Sequence, residues 1–131
     1  MNNLPQPPPH EEGRAGRSWN LNMEIKKQPI NAAGVKFIAE ENGKPVGRAF
    51  LYILKNDLHE APFGFLEDVF VEEQFRKAGI GRKLVEAVIA EAKNQGCYKL
   101  ICTARHEKSE VHAYYLKFGF KDHGVEFRMD F

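Results

Sequence analysis

The sequence predicts a single α/β domain with a sheet of mixed strand direction, in the order β-β-β-β-α-β-α-β-β. Three observations favour this class. Asn42-Gly43 separates two β-prone runs, and this dipeptide supplies the positive φ angles of a tight hairpin turn. The run FGFLEDVFV at 63–71 is apolar on both faces except at two acidic residues, which is typical of a strand buried on both sides. The stretch 81–95 repeats apolar residues with helical spacing.

Each element follows from a local pattern. The helix at 81–95 has a continuous apolar stripe and stops at Gly96. Its stripe consists of Leu84, Val85, Val88, Ile89 and Ala92. The other elements come from short β-prone or helical runs: a weak strand at 23–28, the hairpin at 35–54, a strand at 98–103, a helix at 109–118 and a closing hairpin at 120–131.

Composition narrows the classes of function. The 131-residue chain has a formal net charge of +1, so bulk electrostatics predict no attraction to nucleic acid or to a membrane surface. Only two cysteines occur, on one short segment, which favours a reduced, cytoplasmic protein. The sequence has neither a secretory leader pattern nor an apolar run of about 18 residues, so neither a secretory signal nor a membrane span is expected. Its cysteines and histidines lack metal-ligand spacing, so no metal is expected. Residues 1–22 are predicted to be a proline-rich N-terminal tail, and residues 23–131 the folded domain.

The junction between the strand at 63–71 and the following helix has an unusual composition. A helix N-terminus presents unpaired N–H groups and a partial positive charge, which attract anions. Gly79 and Gly81 permit a tight turn and leave room for a bulky anion. Four basic residues surround the turn: Arg76, Lys77, Arg82 and Lys83. The junction therefore predicts a phosphate-bearing ligand, and a solvated basic turn is the alternative.

Two motifs resemble those of a known family. Arg76-x-x-Gly79-x-Gly81 is similar to the R/Q-x-x-G-x-G/A motif of the GNAT superfamily of N-acetyltransferases, and AYYLKFGF at 113–120 is similar to its second signature. The resemblance covers residues 23–131 in element order and implies the GNAT fold. It also implies an acyltransferase that takes acetyl-coenzyme A as co-substrate and acetylates an amine. The usual first two helices are missing, so the chain resembles a small, minimal member.

The resemblance further implies which residues hold the coenzyme. The backbone amides of the turn would bind its pyrophosphate, while Arg76 supports the turn and its charge. The end of the preceding strand would pair with the pantetheine amides, and one of its N–H groups would stabilise the oxyanion. The implied coenzyme-binding residues are Val69, Phe70, Val71, Arg76, Lys77, Ala78, Gly79, Ile80, Gly81 and Arg82.

Two side chains are candidates for proton transfer. By its place in the second motif, Tyr115 is the candidate acid for the leaving thiolate, since a phenol pKa near 10 lies close to that of a thiol. An ordinary core aromatic is the alternative. Glu67 is the candidate base, acting through water, because a carboxylate in an apolar strand is costly unless it is used or paired. FLEDVFV also resembles the strand of diamine acetyltransferases that carries their proposed base. A buried salt bridge of Glu67 is the alternative.

Asp68 and His112 are candidates for contact with the acceptor. Strand alternation places Asp68 on the face opposite Glu67, where it would bind a substrate ammonium. His112 lies on the helical face of Tyr115, and VHAYYLKFGF resembles a pattern found in some family members. It would relay a proton or, as the alternative, support the structure. Cys102 is predicted to fill the core.

The predicted function is transfer of an acetyl group from acetyl-coenzyme A to a primary amine of a small molecule, by direct attack in a ternary complex. The helix pair that walls the acceptor site in many relatives is missing. That wall is therefore open, or the tail or a second subunit, as in a homodimer, supplies it. Two alternatives stay open: a coenzyme A-binding sensor or regulatory module, and an acetyltransferase of protein lysines or N-termini.

Overall fold

The computed structural model describes residues 22–131, and the chain divides between Asn31 and Ala32 into two units. Of the first unit, residues 22–31 form no helix or strand and are exposed. The predicted tail lies outside the described residues except for its last one. The helices and strands of the described chain are β1 (Ala33–Glu41), β2 (Lys44–Leu54), β3 (Phe63–Val71), a 3₁₀ turn (Glu73–Phe75), α1 (Ile80–Asn94), β4 (Leu100–Ile101) and α2 (Ser109–Lys117).

The strands form one mixed sheet in the order β1-β2-β3-β4, which confirms the predicted fold class. The first three strands are antiparallel, and β4 runs parallel to β3. Asn42 and Gly43, with φ angles of 51° and 80°, form the predicted turn of the β1–β2 hairpin. A Cβ at Gly64 would lie only 2.9 Å from a methyl carbon of Leu51 and of Leu100, so the missing side chain lets both pack beside β3.

The two helices agree with the sequence patterns. The stripe of α1 buries Leu84, Val85 and Val88 in the core of the second unit, as predicted. Glycines in the left-handed conformation follow both helices: Gly96 has a φ of 78° and Gly119 a φ of 98°. No helix in residues 22–131 combines the length and the apolar character that crossing a membrane requires.

The strands predicted at the two ends of the domain are wrong, because neither run finds a ladder partner in the described chain. Residues 23–28 are exposed, and Ile25 is 91% exposed. The closing hairpin predicted at 120–131 is also absent, and Phe127 is 90% exposed. The predicted strand at 98–103 shortens to the two residues of β4, so β4 itself offers little edge for a further strand. Alternating apolar residues favour a strand only where one face can be buried.

Candidate active site

A β-bulge interrupts β3 beside the predicted coenzyme-binding backbone. In the register of β2 with β3, Asp68 and Val69 together oppose the single residue Ala49. Asp68 has a φ of 51°, a left-handed conformation that is uncommon outside glycine. In an unbroken strand, residues five apart point to opposite faces. Here Leu66 before the bulge and Val71 after it both pack against the same core, so the bulge inverts the alternation of the strand.

The pairing of β3 with β4 ends before the bulge. They pair at only two positions, Gly64 with Leu100 and Phe65 with Ile101. Strand β3 then continues for six residues, 66–71, with no ladder partner on this side in the described chain. An open strand edge presents N–H and C=O groups to which an extended ligand adds as a further strand.

The turn that follows β3 combines left-handed residues with a helix N-terminus. Lys77 has a φ of 68° and Gly79 a φ of 83°. Gly79 is also the N-cap residue of α1, and its carbonyl accepts the Lys83 N–H at 3.1 Å. Turns with left-handed residues form anion-binding concavities from successive N–H groups, and the helix terminus adds a partial positive charge. The local geometry therefore suits a phosphate group.

The two arginines at this turn differ in their contacts. The Arg76 Nε donates a hydrogen bond to the carbonyl of Val71 at 2.8 Å, and its guanidinium lies 5.6 Å from the ring centroid of Phe70. Arg76 therefore ties the turn to the end of β3. The side chain of Arg82 is 72% exposed and lies 3.7 Å from the carboxylate of Glu86. Such surface pairs contribute little to stability, so Arg82 remains accessible to a ligand.

The two motif glycines meet different needs. The left-handed conformation of Gly79 is one that a residue with a side chain rarely adopts. Gly81 lies inside α1 and has no positive φ. A Cβ at Gly81 would lie 3.5 Å from the Tyr114 hydroxyl and 3.7 Å from a methyl carbon of Val71, which are ordinary contacts. The expectation that both glycines serve the turn is thus corrected: the backbone requires Gly79 but not Gly81.

Tyr115 lies in a half-buried aromatic cluster. Its ring makes edge contacts with Tyr114 and Phe120, both at a centroid distance of 5.6 Å. Burial, followed by unfavourable interactions with Cys102, Tyr114 and Glu67, raises the pKa of Tyr115 to about 12. The sequence-based premise of a phenol pKa near 10 is therefore wrong, and Tyr115 holds its proton throughout the physiological range.

Glu67 and Cys102 interact electrostatically with Tyr115. Burial, and then the negative charge of Glu67, raises the pKa of the Cys102 thiol to about 11. The charge of Glu67 therefore acts on both Tyr115 and Cys102. Among residues 22–131 the ion pairs do not include Glu67, which is half-buried, so the alternative of a buried salt bridge is not found there. Glu67 therefore interacts electrostatically with the thiol of Cys102 and the phenol of Tyr115, near the point where the pairing of β3 with β4 ends.

Asp68 and His112, the predicted acceptor contacts, are both engaged within the protein. Asp68 accepts two hydrogen bonds from Arg48, from Nε at 2.8 Å and Nη2 at 3.1 Å, and this pairing lowers the pKa of Asp68. Simple alternation fails here because Asp68 belongs to the bulge. The His112 Nε2–H donates to the carbonyl of Arg105 at 2.6 Å, which fixes the loop before α2.

Sequence reasoning missed the roles of Arg48 and Cys102. Cys102 packs against the core as predicted, but its position beside Glu67 was not foreseen. The parallel register could have indicated it, since Cys102 directly follows the pairing of Ile101 with Phe65, two residues before Glu67. No sequence signal marks Arg48, because the bulge that brings it to Asp68 is a property of the sheet.

The chain belongs to the acetyltransferase (GNAT) family, whose family model matches residues 2–120. Aminoglycoside N(6′)-acetyltransferase type 1 of Stenotrophomonas maltophilia is 33% identical over 112 residues, or 81% of this chain and 73% of the relative. Glucosamine 6-phosphate N-acetyltransferase of Trypanosoma brucei brucei is 35% identical over 95 residues, or 72% of this chain. The match spans 63% of that relative, which is less than two thirds of its length.

Solved structures agree with this assignment. A putative acetyltransferase from Agrobacterium tumefaciens str. C58 has a TM-score of 0.71 and 35% identity, covering 79% of this chain and 70% of its own. The aminoglycoside acetyltransferase AAC(6′)-Iy, in complex with the bisubstrate analogue CoA-S-monomethyl-acetylneamine, has a TM-score of 0.63 and 28% identity, covering 74% and 69%. The predicted family, fold and enzyme class, an acyltransferase, are therefore confirmed.

Proposed function

We propose that this protein transfers an acetyl group from acetyl-coenzyme A to a primary amine of a small molecule, by direct attack in a ternary complex. One observation carries the proposal. The open edge of β3, at 66–71, is tied by the Arg76–Val71 hydrogen bond to a turn whose geometry suits an anion. A ligand that needs both an extended, amide-bearing arm and a pyrophosphate fits this combination, and acetyl-coenzyme A has both.

The coenzyme would be held mainly by backbone groups. The turn at 76–81 and the first N–H groups of α1 would bind the pyrophosphate, with Arg82 as an accessible cation. The strand end at 69–71 would pair with the pantetheine arm as an added strand. The bisubstrate analogue of coenzyme A bound to a structural neighbour supports this assignment.

Glu67 would act as the general base and Tyr115 as the general acid. Glu67, directly or through water, would take a proton from the attacking amine as the C–N bond forms. As the C–S bond breaks, the neutral phenol of Tyr115 would donate to the departing sulfur. With its pKa raised to about 12, Tyr115 is a weaker acid than an ordinary phenol. Its contribution is therefore a hydrogen bond that strengthens as charge develops on the sulfur, with proton transfer completed late.

The state of Cys102 favours direct attack over an acyl-enzyme. A cysteine attacks as its thiolate, and the thiolate fraction falls as the thiol pKa rises. Burial and Glu67 raise the Cys102 pKa to about 11, so the thiol is almost entirely neutral near pH 7. The acetyl group would therefore pass straight to the amine, without a covalent intermediate on Cys102.

The acceptor class we favour is an amino sugar. The names of the two relatives above share one substrate feature, an amine on a sugar. The candidate acceptor contact Asp68 is already paired with Arg48, so it offers less attraction to a second ammonium group than a free carboxylate would. By this charge argument, an amino sugar with a single amine, such as glucosamine, fits better than an aliphatic diamine or an aminoglycoside with several amines.

The direct test measures thiol release from acetyl-coenzyme A with the purified protein. The panel would contain glucosamine, glucosamine 6-phosphate, neamine, a linear diamine and a lysine peptide. Turnover of one or more amino sugars, with intersecting initial-velocity lines, is expected. Acetylation of the peptide alone would favour the protein-acetyltransferase alternative. Tight coenzyme binding without any turnover would favour the sensor alternative.

A further inference from the structure

Arg48 contacts both the bulge in β3 and the strand segment that follows it. Its guanidinium donates two hydrogen bonds to the carboxylate of Asp68, at 2.8 and 3.1 Å. The same guanidinium lies 4.7 Å from the ring centroid of Phe70, the residue directly opposite Arg48 in the ladder. One side chain on β2 therefore joins the bulged residue to the strand segment that follows it.

The bulge needs such support because its backbone is strained. A non-glycine residue with a φ of 51° is held in a sparsely populated conformation, which persists only when its surroundings fix it. Ala49, the residue facing the bulge, has only a methyl side chain. The paired hydrogen bonds of Arg48 are the side-chain contact of the described structure that holds the Asp68 carboxylate.

The direction of the bulge decides which groups β3 presents beyond it. The inverted alternation turns Val69 and Val71 to the core and leaves Phe70 on the outer face. The guanidinium groups of Arg48 and Arg76 both lie near the Phe70 ring, at 4.7 and 5.6 Å from its centroid. The bulge is thus coupled through one aromatic ring to the arginine that ties down the anion-binding turn.

We propose that Arg48 is a positioning residue: its paired hydrogen bonds to Asp68 hold the bulge and so set the backbone of 69–71 in the geometry that coenzyme A requires. The inference rests on the proposed function, because it takes 69–71 as the coenzyme-pairing edge. In this proposal Arg48 acts through Asp68 and Phe70 and does not contact the substrate. The planar fork of arginine matches a carboxylate with two bonds, which lysine does not reproduce.

The first test compares Arg48→Met with Lys36→Met in calorimetric titrations of coenzyme A. Methionine keeps an apolar stem near Phe70 but removes both hydrogen bonds. Lys36 is a matched control, since it lies on the neighbouring strand with its Nζ 5.6 Å from the ring centroid of Phe50, and its charge also lowers the pKa of Asp68. Arg48→Met should weaken coenzyme A binding roughly tenfold, Arg48→Lys by less, and Lys36→Met hardly at all. Equal affinity for Arg48→Met and wild type would overturn the proposal.

The second test reads the strand without any ligand. Hydrogen exchange of the amides at 66–71 should be about tenfold faster in Arg48→Met and unchanged in Lys36→Met. The reason is that the strand opens locally more often when the hydrogen bonds between Arg48 and Asp68 are lost. Faster exchange combined with unchanged coenzyme A affinity would also overturn the positioning role, although acetyl transfer itself would stand. Wild-type protein that binds no coenzyme A would instead refute the proposed function, and the positioning role would fall with it.

The third test separates positioning from direct ligand contact. Glycine adopts a φ of 51° without side-chain support, so in Asp68→Gly the bulge no longer needs the hydrogen bonds from Arg48. In the Asp68→Gly background, Arg48→Met should cause no further loss of coenzyme A affinity. A full tenfold loss in that background would show that Arg48 acts by a route other than its hydrogen bonds to Asp68, and it would overturn the proposal.

Discussion

Replacing Gly81 with alanine tests the coenzyme site with two readouts of opposite sign. The added Cβ would meet only ordinary contacts, with the Tyr114 hydroxyl and Val71, so the folded protein accommodates it. Alanine at a compatible position stabilises a fold by about 0.4–1 kcal/mol, because it restricts the unfolded chain. For a domain near 100 residues this corresponds to a rise in Tm of roughly 2–6 °C.

The same Cβ would stand at the helix terminus where the pyrophosphate is proposed to bind. Displacing the phosphate from one N–H group costs about 1.5–3 kcal/mol, the range for hydrogen bonds to charged groups. The dissociation constant of coenzyme A should therefore rise roughly ten- to hundredfold. Thermal unfolding of the free protein and calorimetric titration with coenzyme A measure the two effects separately.

Gly79→Ala is the matched control for this experiment. Gly79 needs its φ of 83°, so alanine there should lower the Tm of the free protein, although no atom lies within 4 Å of the new Cβ. Gly81→Ala protein with a raised Tm and wild-type affinity would refute the assignment of the pyrophosphate to this turn. A lowered Tm for Gly81→Ala would refute our account of the glycine itself.

Three further side chains give predictions that assays on the purified protein can check. Tyr115→Phe should lower kcat by roughly 10²–10⁴ while coenzyme affinity stays constant, and an unchanged kcat would exclude the acid role. Because burial raises the Tyr115 pKa to about 12 while the unfolded phenol titrates near 10, its contribution to stability is complete below pH 10 and is lost as pH rises towards 12. Urea unfolding at pH 9 and pH 11 should therefore show a smaller alkaline loss for Tyr115→Phe than for wild type. Glu67→Gln should lose most activity at low pH, where few amines are neutral, and recover as pH rises; a loss independent of pH would contradict a base. Cys102→Ala should keep wild-type turnover and intersecting velocity lines, whereas abolished turnover in a folded variant would indicate an acyl-enzyme.

Local patterns in the sequence were sufficient for the elements that depend on neighbours in the chain. The turn at Asn42-Gly43 and the stripe of α1 follow from backbone conformation and helical periodicity, and both are found where the sequence predicts them. The motif around Gly79 likewise predicted a tight turn at the junction between β3 and α1, and Gly79 has a left-handed φ of 83° there. These features need no information about distant residues, and together with the second motif they sufficed to identify the family.

Tertiary structure alone decided the features that depend on pairing between distant segments. The apolar runs at 23–28 and 120–131 have strand propensity, yet neither run pairs with a strand in the described chain. The raised pKa of Tyr115 arises first from burial and then from neighbours that include Cys102 and Glu67, and both of these residues lie outside its own helix. The bulge at Asp68 depends on the register between β2 and β3. The local sequence pattern therefore predicts neither the inverted alternation of side chains nor the hydrogen bond to Arg48. Sequence alone determined the family and the glycine-containing turn before α1. The sheet register determined that Asp68 pairs with Arg48, because pairing energy depends on distances that only the folded chain sets.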